Sequence, residues 1–255
     1  MENAFGQPQN VVVLGGSSDI ARAITKKLCA ARASTVVLCG RDQSLLDASA
    51  AEARDYGATK TDTVLFDAID PSNAARVVEE AFAKVGEQVD LVIVAVGLLG
   101  DQTAMQNDAE AAARMITVNV TWPVAALAEV RRRMVEQGRG RILVMSSVAA
   151  IRVRSVAYLY SGAKAGLDRL CDAMADSLEG TGVTLQILRP GVVRTKMTTG
   201  LPDIPFTTGP NEVAEYVMKG LASGARVIWS PPILRYVFSI LRHLPRPIFR
   251  KIADR

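Results

Sequence analysis

The 255-residue sequence predicts an α/β fold: a single doubly wound parallel sheet with helices on both faces and a C-terminal amphipathic helix. Three observations predict it. Short, wholly apolar runs alternate with longer segments of helical period along the chain. Those runs lack the polar–apolar alternation of a half-exposed strand, so the sheet is covered on both faces. No composition break or internal repeat divides the chain, and 49% hydrophobic residues suffice for one large core. Right-handed crossovers between parallel strands then give a doubly wound, Rossmann-type sheet within one domain, residues 1–255.

The elements follow in order. The first strand, 11–14, ends at Gly15-Gly16, and an amphipathic helix covers 19–31. A second strand at 36–39 precedes a helix at 43–56, and 64–66 is the third strand. Pro71 opens a helix that runs to 85, as proline is tolerated in a first turn. The strand at 91–96 is too apolar to be half exposed, and one long helix spans 110–137. A strand at 141–145, a helix at 157–178 and a strand at 183–188 complete the alternation. The stretch 194–210 is rich in Gly, Pro and Thr and reads as a mobile substrate lid.

Residues 231–255 form a basic amphipathic segment. From 226 to 255 there are seven Lys/Arg and one acid, so this stretch carries +6 while the whole chain carries +4. The charge is local, which argues against a general nucleic-acid face and for a nearby anionic partner. On a helical wheel of 233–244, Ile233, Leu234, Val237, Phe238, Ile240, Leu241 and Leu244 share one broad arc. Arg235, Ser239, Arg242 and His243 lie opposite. At ~1.5 Å per residue the segment is about 18 Å long, too short to span a bilayer. It suits a membrane interface, with Arg246, Arg250 and Lys251 meeting lipid phosphates or a phosphate of the substrate. The alternative is an ordinary helix that packs on the core and closes the substrate pocket.

Composition narrows the chemistry. Cys29, Cys39 and Cys171 are scattered without metal-ligand spacing and read as buried thiols in a reducing compartment. His243 is the only histidine, so neither a histidine-based triad nor a histidine metal site is expected. The N-terminus lacks the plan of a signal peptide, and no run of about 18 apolar residues is evident. A cytoplasmic protein, peripheral to the inner face of the membrane, is the expectation.

The chemistry-bearing residues cluster at the ends of the predicted strands. Gly15 opens the first strand-to-helix turn, where backbone amides can bind a pyrophosphate. Asp19 and Ala21 stand where spaced glycines are usual; Asp19 either turns away from a diphosphate or caps the helix. Arg41 follows the second strand, where an acid would bind the ribose hydroxyls of NAD and an arginine accommodates the 2′-phosphate of NADP. Asp67 follows the third strand, placed either for an adenine amino group or as a helix cap. Ser147 precedes Tyr160 by thirteen positions, and Lys164 follows four later. Residues four apart share a helix face, so Tyr160 and Lys164 point into one cleft. A phenol is a poor acid with its pKa near ~10. A nearby ammonium favours the phenolate, giving a proton donor for a ketone oxygen that receives a hydride. Tyr158 competes for the donor role but has no lysine four residues on.

Together these residues resemble the short-chain dehydrogenases/reductases. The matching pieces are Gly15-Gly16-Ser17-Ser18-Asp19-Ile20-Ala21, Asp67, Gly97, Asn119, Ser147, Tyr160, Lys164 and Arg189-Pro190-Gly191 with Thr195. The resemblance implies a fold that binds NAD(P)H, with Tyr160 as general acid and Ser147 positioning the carbonyl. It implies that Lys164 binds the nicotinamide ribose and that Asn119 holds a water; Asn119 otherwise bonds local backbone. Gly15, Ser17, Ser18, Asp19, Ile20, Arg41, Asp67 and Gly97 would line the cofactor's adenosine and phosphate side. Pro190, Gly191, Val193 and Thr195 would lie along its nicotinamide end. The chain departs from the family at Val94-Ala95-Val96-Gly97, where Asn-Asn-Ala-Gly is usual and only the glycine remains.

The run Gly97-Leu98-Leu99-Gly100-Asp101 and the tail from Leu234-Arg235-Tyr236 to Phe249-Arg250-Lys251 are similar to a narrower branch of that family. That branch reduces a polyprenyl-phosphate-linked 2-keto-pentose left by a flavin-dependent oxidase, the other half of an epimerase pair in cell-wall arabinan synthesis. It implies NADH, whereas Arg41 favours NADPH. Other readings are a reductase of another lipid or acyl ketone, and a nucleotide-binding sensor without turnover. Intact Ser147, Tyr160 and Lys164 count against the sensor. The long helices of such folds pair into homo-oligomers, which is expected here too.

Overall fold

The computed structural model describes residues 7–86, 88–200 and 204–253. Strands and helices alternate as β1 (Asn10–Leu14), α1 (Asp19–Ala30), β2 (Thr35–Gly40), α2 (Gln43–Asp55), β3 (Lys60–Leu65), α3 (Ala74–Val85) and β4 (Leu91–Val94). There follow α4 (Gln102–Met105), α5 (Ala109–Ile116), α6 (Trp122–Gln137), β5 (Gly140–Met145), α7 (Tyr158–Ser177) and β6 (Val183–Pro190). The chain continues with α8 (Pro210–Ser223), β7 (Val227–Ser230), α9 (Leu234–Leu241) and α10 (Arg246–Ala253). The seven strands form one sheet in the order β3-β2-β1-β4-β5-β6-β7, each pairing parallel.

The two-residue period of the strands sorts their side chains to two cores. From β1, Val12 and Leu14 meet Val77 of α3 and Trp122, Leu127 and Val130 of α6. Val11 and Val13 face Ile24 and Leu28 of α1, Leu46 of α2 and Val217 of α8. Phe66 stacks on Trp122 with ring centroids 4.3 Å apart, and the indole N–H donates to Asn73 at 2.7 Å. The strand order turns back between β1 and β4, and a ligand crevice opens at the carboxyl ends of the strands at such a point.

Several expected boundaries shift for identifiable reasons. β3 starts at Lys60, four residues before the apolar run, because this edge strand carries Lys60, Thr61, Asp62 and Thr63. β4 ends at Val94, and Ala95–Gly97 leave the sheet to line the crevice. The helix expected over 110–137 is interrupted by a π-helical turn, Thr117–Thr121. Pro123 has no N–H to donate, and its ring crowds the carbonyl four residues back, that of Asn119; the wide turn accommodates it. Residues 109–137 are also long and apolar enough to cross a membrane by length and composition, contrary to the sequence expectation. In the fold, Trp122, Leu127, Val130 and Met134 of that stretch fill the core. The apolar-run criterion left α8 and β7 unassigned; β7 is a four-residue edge strand, half buried.

The tail also departs from one helix over 233–244. α9 stops at Leu241, and α10 starts afresh after Pro245, since the residue before a proline disfavours the helical region. Of α9 only Leu234 is buried, while Ile233, Tyr236 and Ile240 stay exposed. The lid expectation covers 194–210, of which 201–203 lie outside the described residues. Its base is stapled by a parallel bridge between Val193 and Thr208, with Arg194 N–H donating to Thr208 O at 2.9 Å.

Candidate active site

All sixteen residues singled out from the sequence line one cleft of ≈ 580 Å³ at the carboxyl ends of the central strands. At its floor, Gly15 adopts φ +98°, and a Cβ there would lie 2.8 Å from the Ala95 carbonyl carbon. The glycine amides are spent within the turn: Gly15 N–H and Gly16 N–H both donate to Cys39 O at 2.8 Å. The amides left for an anion belong to Asp19 and Ile20, in the first turn of α1, where intrahelical acceptors are lacking. Ser18, not Asp19, caps α1 by accepting from Ala21 N–H. The Asp19 carboxylate turns outward and accepts from Lys196 N–H at 2.8 Å, which ties the phosphate side to the lid.

Arg41 is exposed at the end of β2, and no carboxylate among the described residues lies within ion-pair distance of it. Asp42, its neighbour, is spent on capping α2 through Leu45 N–H. Asp67 accepts from Ile69 N–H at 3.1 Å in a local turn, while Asp70 caps the turn that follows, so Asp67 is not the cap. Gly97 sits where a Cβ would meet Asn119 Oδ1 at 2.8 Å and Lys164 Nζ at 3.3 Å. Only a glycine lets the loop after β4 pass between these two groups. Such a bare cradle, with free helix amides at one end and a cation at the other, fits a nicotinamide dinucleotide.

Asn119 is fully buried in the π-helical turn. Its amide N–H groups donate to Leu98 O and Met115 O, both at 3.0 Å, and its Oδ1 accepts from Leu98 N–H at 3.3 Å. The side chain bonds backbone of its own turn and of the loop after β4, and so clamps the cleft wall. Ser147 follows β5, and its hydroxyl accepts from Ala149 N–H at 3.1 Å. Ser146 is occupied elsewhere: it donates to Asp168 Oδ2 at 2.7 Å, and Arg189 grips the same carboxylate through two bonds of 2.8 and 2.9 Å. That leaves Ser147 as the hydroxyl in the cleft beside Tyr160.

The electrostatics differ from the sequence expectation. Burial pushes the Tyr160 phenol above its ordinary value, and the Ser147 hydroxyl pulls it partway back. Lys164 is not what sets it. The same burial strips water from the Lys164 ammonium and lowers its pKa to about 8. Its Nζ donates to Met145 O at 3.0 Å, which fixes the amine at the end of β5. Sequence reasoning missed Phe66, Leu98, Arg114, Val118 and Met197 in the cleft wall. Most are apolar residues whose place only the folded loops reveal.

A short chain dehydrogenase family model matches residues 9–203. The chain belongs to this family. Across its length it is 37% identical to an uncharacterized oxidoreductase of Streptomyces coelicolor, with 99% of both chains covered. It is 38% identical to an uncharacterized oxidoreductase of Mycobacterium tuberculosis, over 95% of this chain and 96% of that one. A short-chain dehydrogenase of Sphingobium yanoikuyae, solved with NADPH, superposes with a TM-score of 0.79 at 25% identity, covering 91% of each chain. A short-chain dehydrogenase/reductase of Mycobacterium ulcerans gives 0.75 at 25% identity over 87% of each. As a family member the chain is an oxidoreductase on a seven-stranded, doubly wound sheet.

Proposed function

We propose that this short-chain dehydrogenase/reductase is an NAD(P)H-dependent ketone reductase whose substrate is the 2-keto group of decaprenylphosphoryl-2-keto-erythro-pentofuranose. The product is decaprenylphosphoryl-arabinofuranose, and a flavin-dependent oxidase supplies the ketone. The observation that carries the reductase reading is the convergence of Ser147, Tyr160 and Lys164 on one cleft with the α1 amides at its far end. The narrower substrate rests on the similarity of Gly97–Asp101 and of the basic tail to that branch of the family.

When bound, the nicotinamide supplies a hydride to the carbonyl carbon. The protein's part is orientation and proton control. Ser147 holds the ketone oxygen by donating its hydroxyl proton. Tyr160 protonates that oxygen as charge develops on it, and its raised pKa keeps it in the donor form at neutral pH. Lys164 would hold the ribose hydroxyls through its ammonium group. Arg41, with no carboxylate of the described residues within ion-pair distance, would receive a ribose 2′-phosphate. The lid over 194–210 excludes water from the reacting centre.

The test offers purified protein the lipid-phosphate keto-sugar and a 3-oxoacyl thioester side by side while cofactor oxidation is followed. Turnover of the keto-sugar is expected to dominate. A rate with the acyl ketone alone overturns the substrate. A Tyr160→Phe variant is expected to lose roughly 10²–10⁴-fold in rate yet still bind cofactor; full activity would remove Tyr160 as the acid.

A further inference from the structure

Another cavity, of ≈ 370 Å³, lies between the loop after β5, the start of α7 and the last helix, α10. Arg152, Arg154, Arg246 and Arg250 line it, with Phe249 and Tyr158. It shares no lining residue with the active cleft, although Tyr158 stands only two positions before Tyr160 on α7. The Arg152 guanidinium lies 4.7 Å from the centre of the buried Phe249 ring. It donates to Arg242 O at 3.1 Å and Leu244 O at 3.0 Å, so it pins the link between α9 and α10. Among the described residues no carboxylate lies within ion-pair distance of any of the four arginines. Neither 146–160 nor 226–253 contains an Asp or Glu. Four guanidinium groups around one void, with no acid among the described residues to neutralise them, form a site for an anion with several acceptor oxygens.

The surroundings say which anion. Exposed apolar side chains lie on the same segments: Val153, which lines the pocket, and Val156 on the loop, Ile233 just before α9, Tyr236 and Ile240 on α9, and Ile248 on α10. Tyr236 and Ile240 keep 65% and 67% of their surface exposed. The apolar arc of α9 is wider than the body of the protein covers. Aliphatic groups among arginines gain nothing from nucleic acid or an acidic peptide, but they gain by entering the headgroup–acyl boundary of a bilayer. A phosphate on the carbon beside the reacting ketone must stay in the active cleft, so this separate pocket is not its seat.

We propose that the 151–158 loop and the two C-terminal helices form a membrane-docking face. In it the arginine-lined pocket takes the phosphate of an anionic phospholipid headgroup, and the exposed apolar residues enter the interface. This face sits beside the active cleft whichever ketone is reduced: Leu234, at the root of α9, lies 2.7 Å from where a Cβ on Gly191 would be.

The test is co-sedimentation of the full chain with vesicles of phosphatidylcholine, alone or mixed with phosphatidylglycerol. Binding is expected to the mixed vesicles and to weaken with salt. The pair Arg154→Gln/Arg250→Gln should lower partitioning roughly thirtyfold, as each surface arginine contributes about fivefold. Tyr236→Ser/Ile240→Ser should lower it through lost insertion. Arg152 is left intact because it holds the tail, and an unchanged melting temperature in each variant shows that folding is preserved. Three results overturn the proposal: no vesicle binding by the unaltered chain, binding that survives the arginine substitutions, or self-association that Tyr236→Ser/Ile240→Ser abolishes. Inhibition of turnover by inorganic phosphate without vesicle binding, lost in the arginine pair, assigns the pocket to a soluble phosphate and overturns it too.

Discussion

One environment acts on Tyr160 and Lys164 in opposite senses. Exclusion of water disfavours the charged form of each, so the phenol rises and the amine falls to about 8. In the proposed mechanism, reduction needs a neutral Tyr160 phenol and a charged Lys164. Below about pH 8 both conditions hold; as pH rises through that value the Lys164 ammonium is lost while Tyr160 stays protonated. The kcat/KM for ketone reduction is therefore expected to fall about tenfold per unit above pH 8. Lys164→Arg, charged throughout, should flatten that limb, and a wild-type limb centred near ~10, the ordinary lysine value, would refute the shift. At the cofactor's other end, Arg41→Ala is expected to raise KM for NADPH at least tenfold and to leave NADH unchanged, since a hydrogen bond to a charged group contributes about 1.5–3 kcal/mol. Equal KM changes for both cofactors would show that Arg41 does not read the 2′-phosphate. The spacing of Ser147, Tyr160 and Lys164 was legible in the sequence because helix geometry and chain order carry it. The direction of the Tyr160 shift was not, because it depends on how much water the folded walls admit.

At the scale of elements, apolar runs located the central strands within a residue or two, because β1, β4 and β5 are buried on both faces. The same criterion fails at the sheet's edges, where β3 carries polar residues and β7 has only four. It also fails inside the long helical stretch 109–137. There one proline changes the winding, and the resulting turn aims Asn119 at Leu98 O instead of outward. The link between lid and phosphate side was equally hidden. Asp19 is adjacent to the lid only in space, 177 residues from its partner Lys196. That bond makes the first turn of α1 and the lid a mechanical unit. Asp19→Ala is expected to raise cofactor KM about fivefold and to speed proteolysis within 194–210, with little change in melting temperature, because the bond is exposed. Unaltered proteolysis would mean that Thr198, which donates to Val193 O at 2.6 Å, holds the lid alone.

Across the whole molecule, a buried polar knot connects catalytic helix, sheet and edge. Asp168 of α7 is 1% exposed and receives both guanidinium bonds of Arg189 from β6 and the hydroxyl of Ser146 beyond β5. Arg189 in turn lies 5.2 Å from the Trp229 ring on β7. The knot joins α7 to the end of β5 beside Ser147, so we expect the spacing of the Ser147 hydroxyl and the Tyr160 phenol to depend on a charge pair that touches neither. Removing one partner strands the other in the core, at a cost of about 3–5 kcal/mol. For a chain of this size 1 kcal/mol moves Tm by roughly 2–4 °C. Asp168→Asn is thus expected to lower Tm by roughly 6–20 °C. The double replacement Asp168→Leu/Arg189→Met should recover most of that loss, since apolar groups of similar volume need no partner. Activity separates stability from registration. If the knot positions Ser147 against Tyr160, the double variant regains its melting temperature but not its kcat. Full recovery of kcat with Tm would reduce the knot to a purely stabilising pair and leave the alignment of α7 to the apolar packing of Leu167 and Cys171.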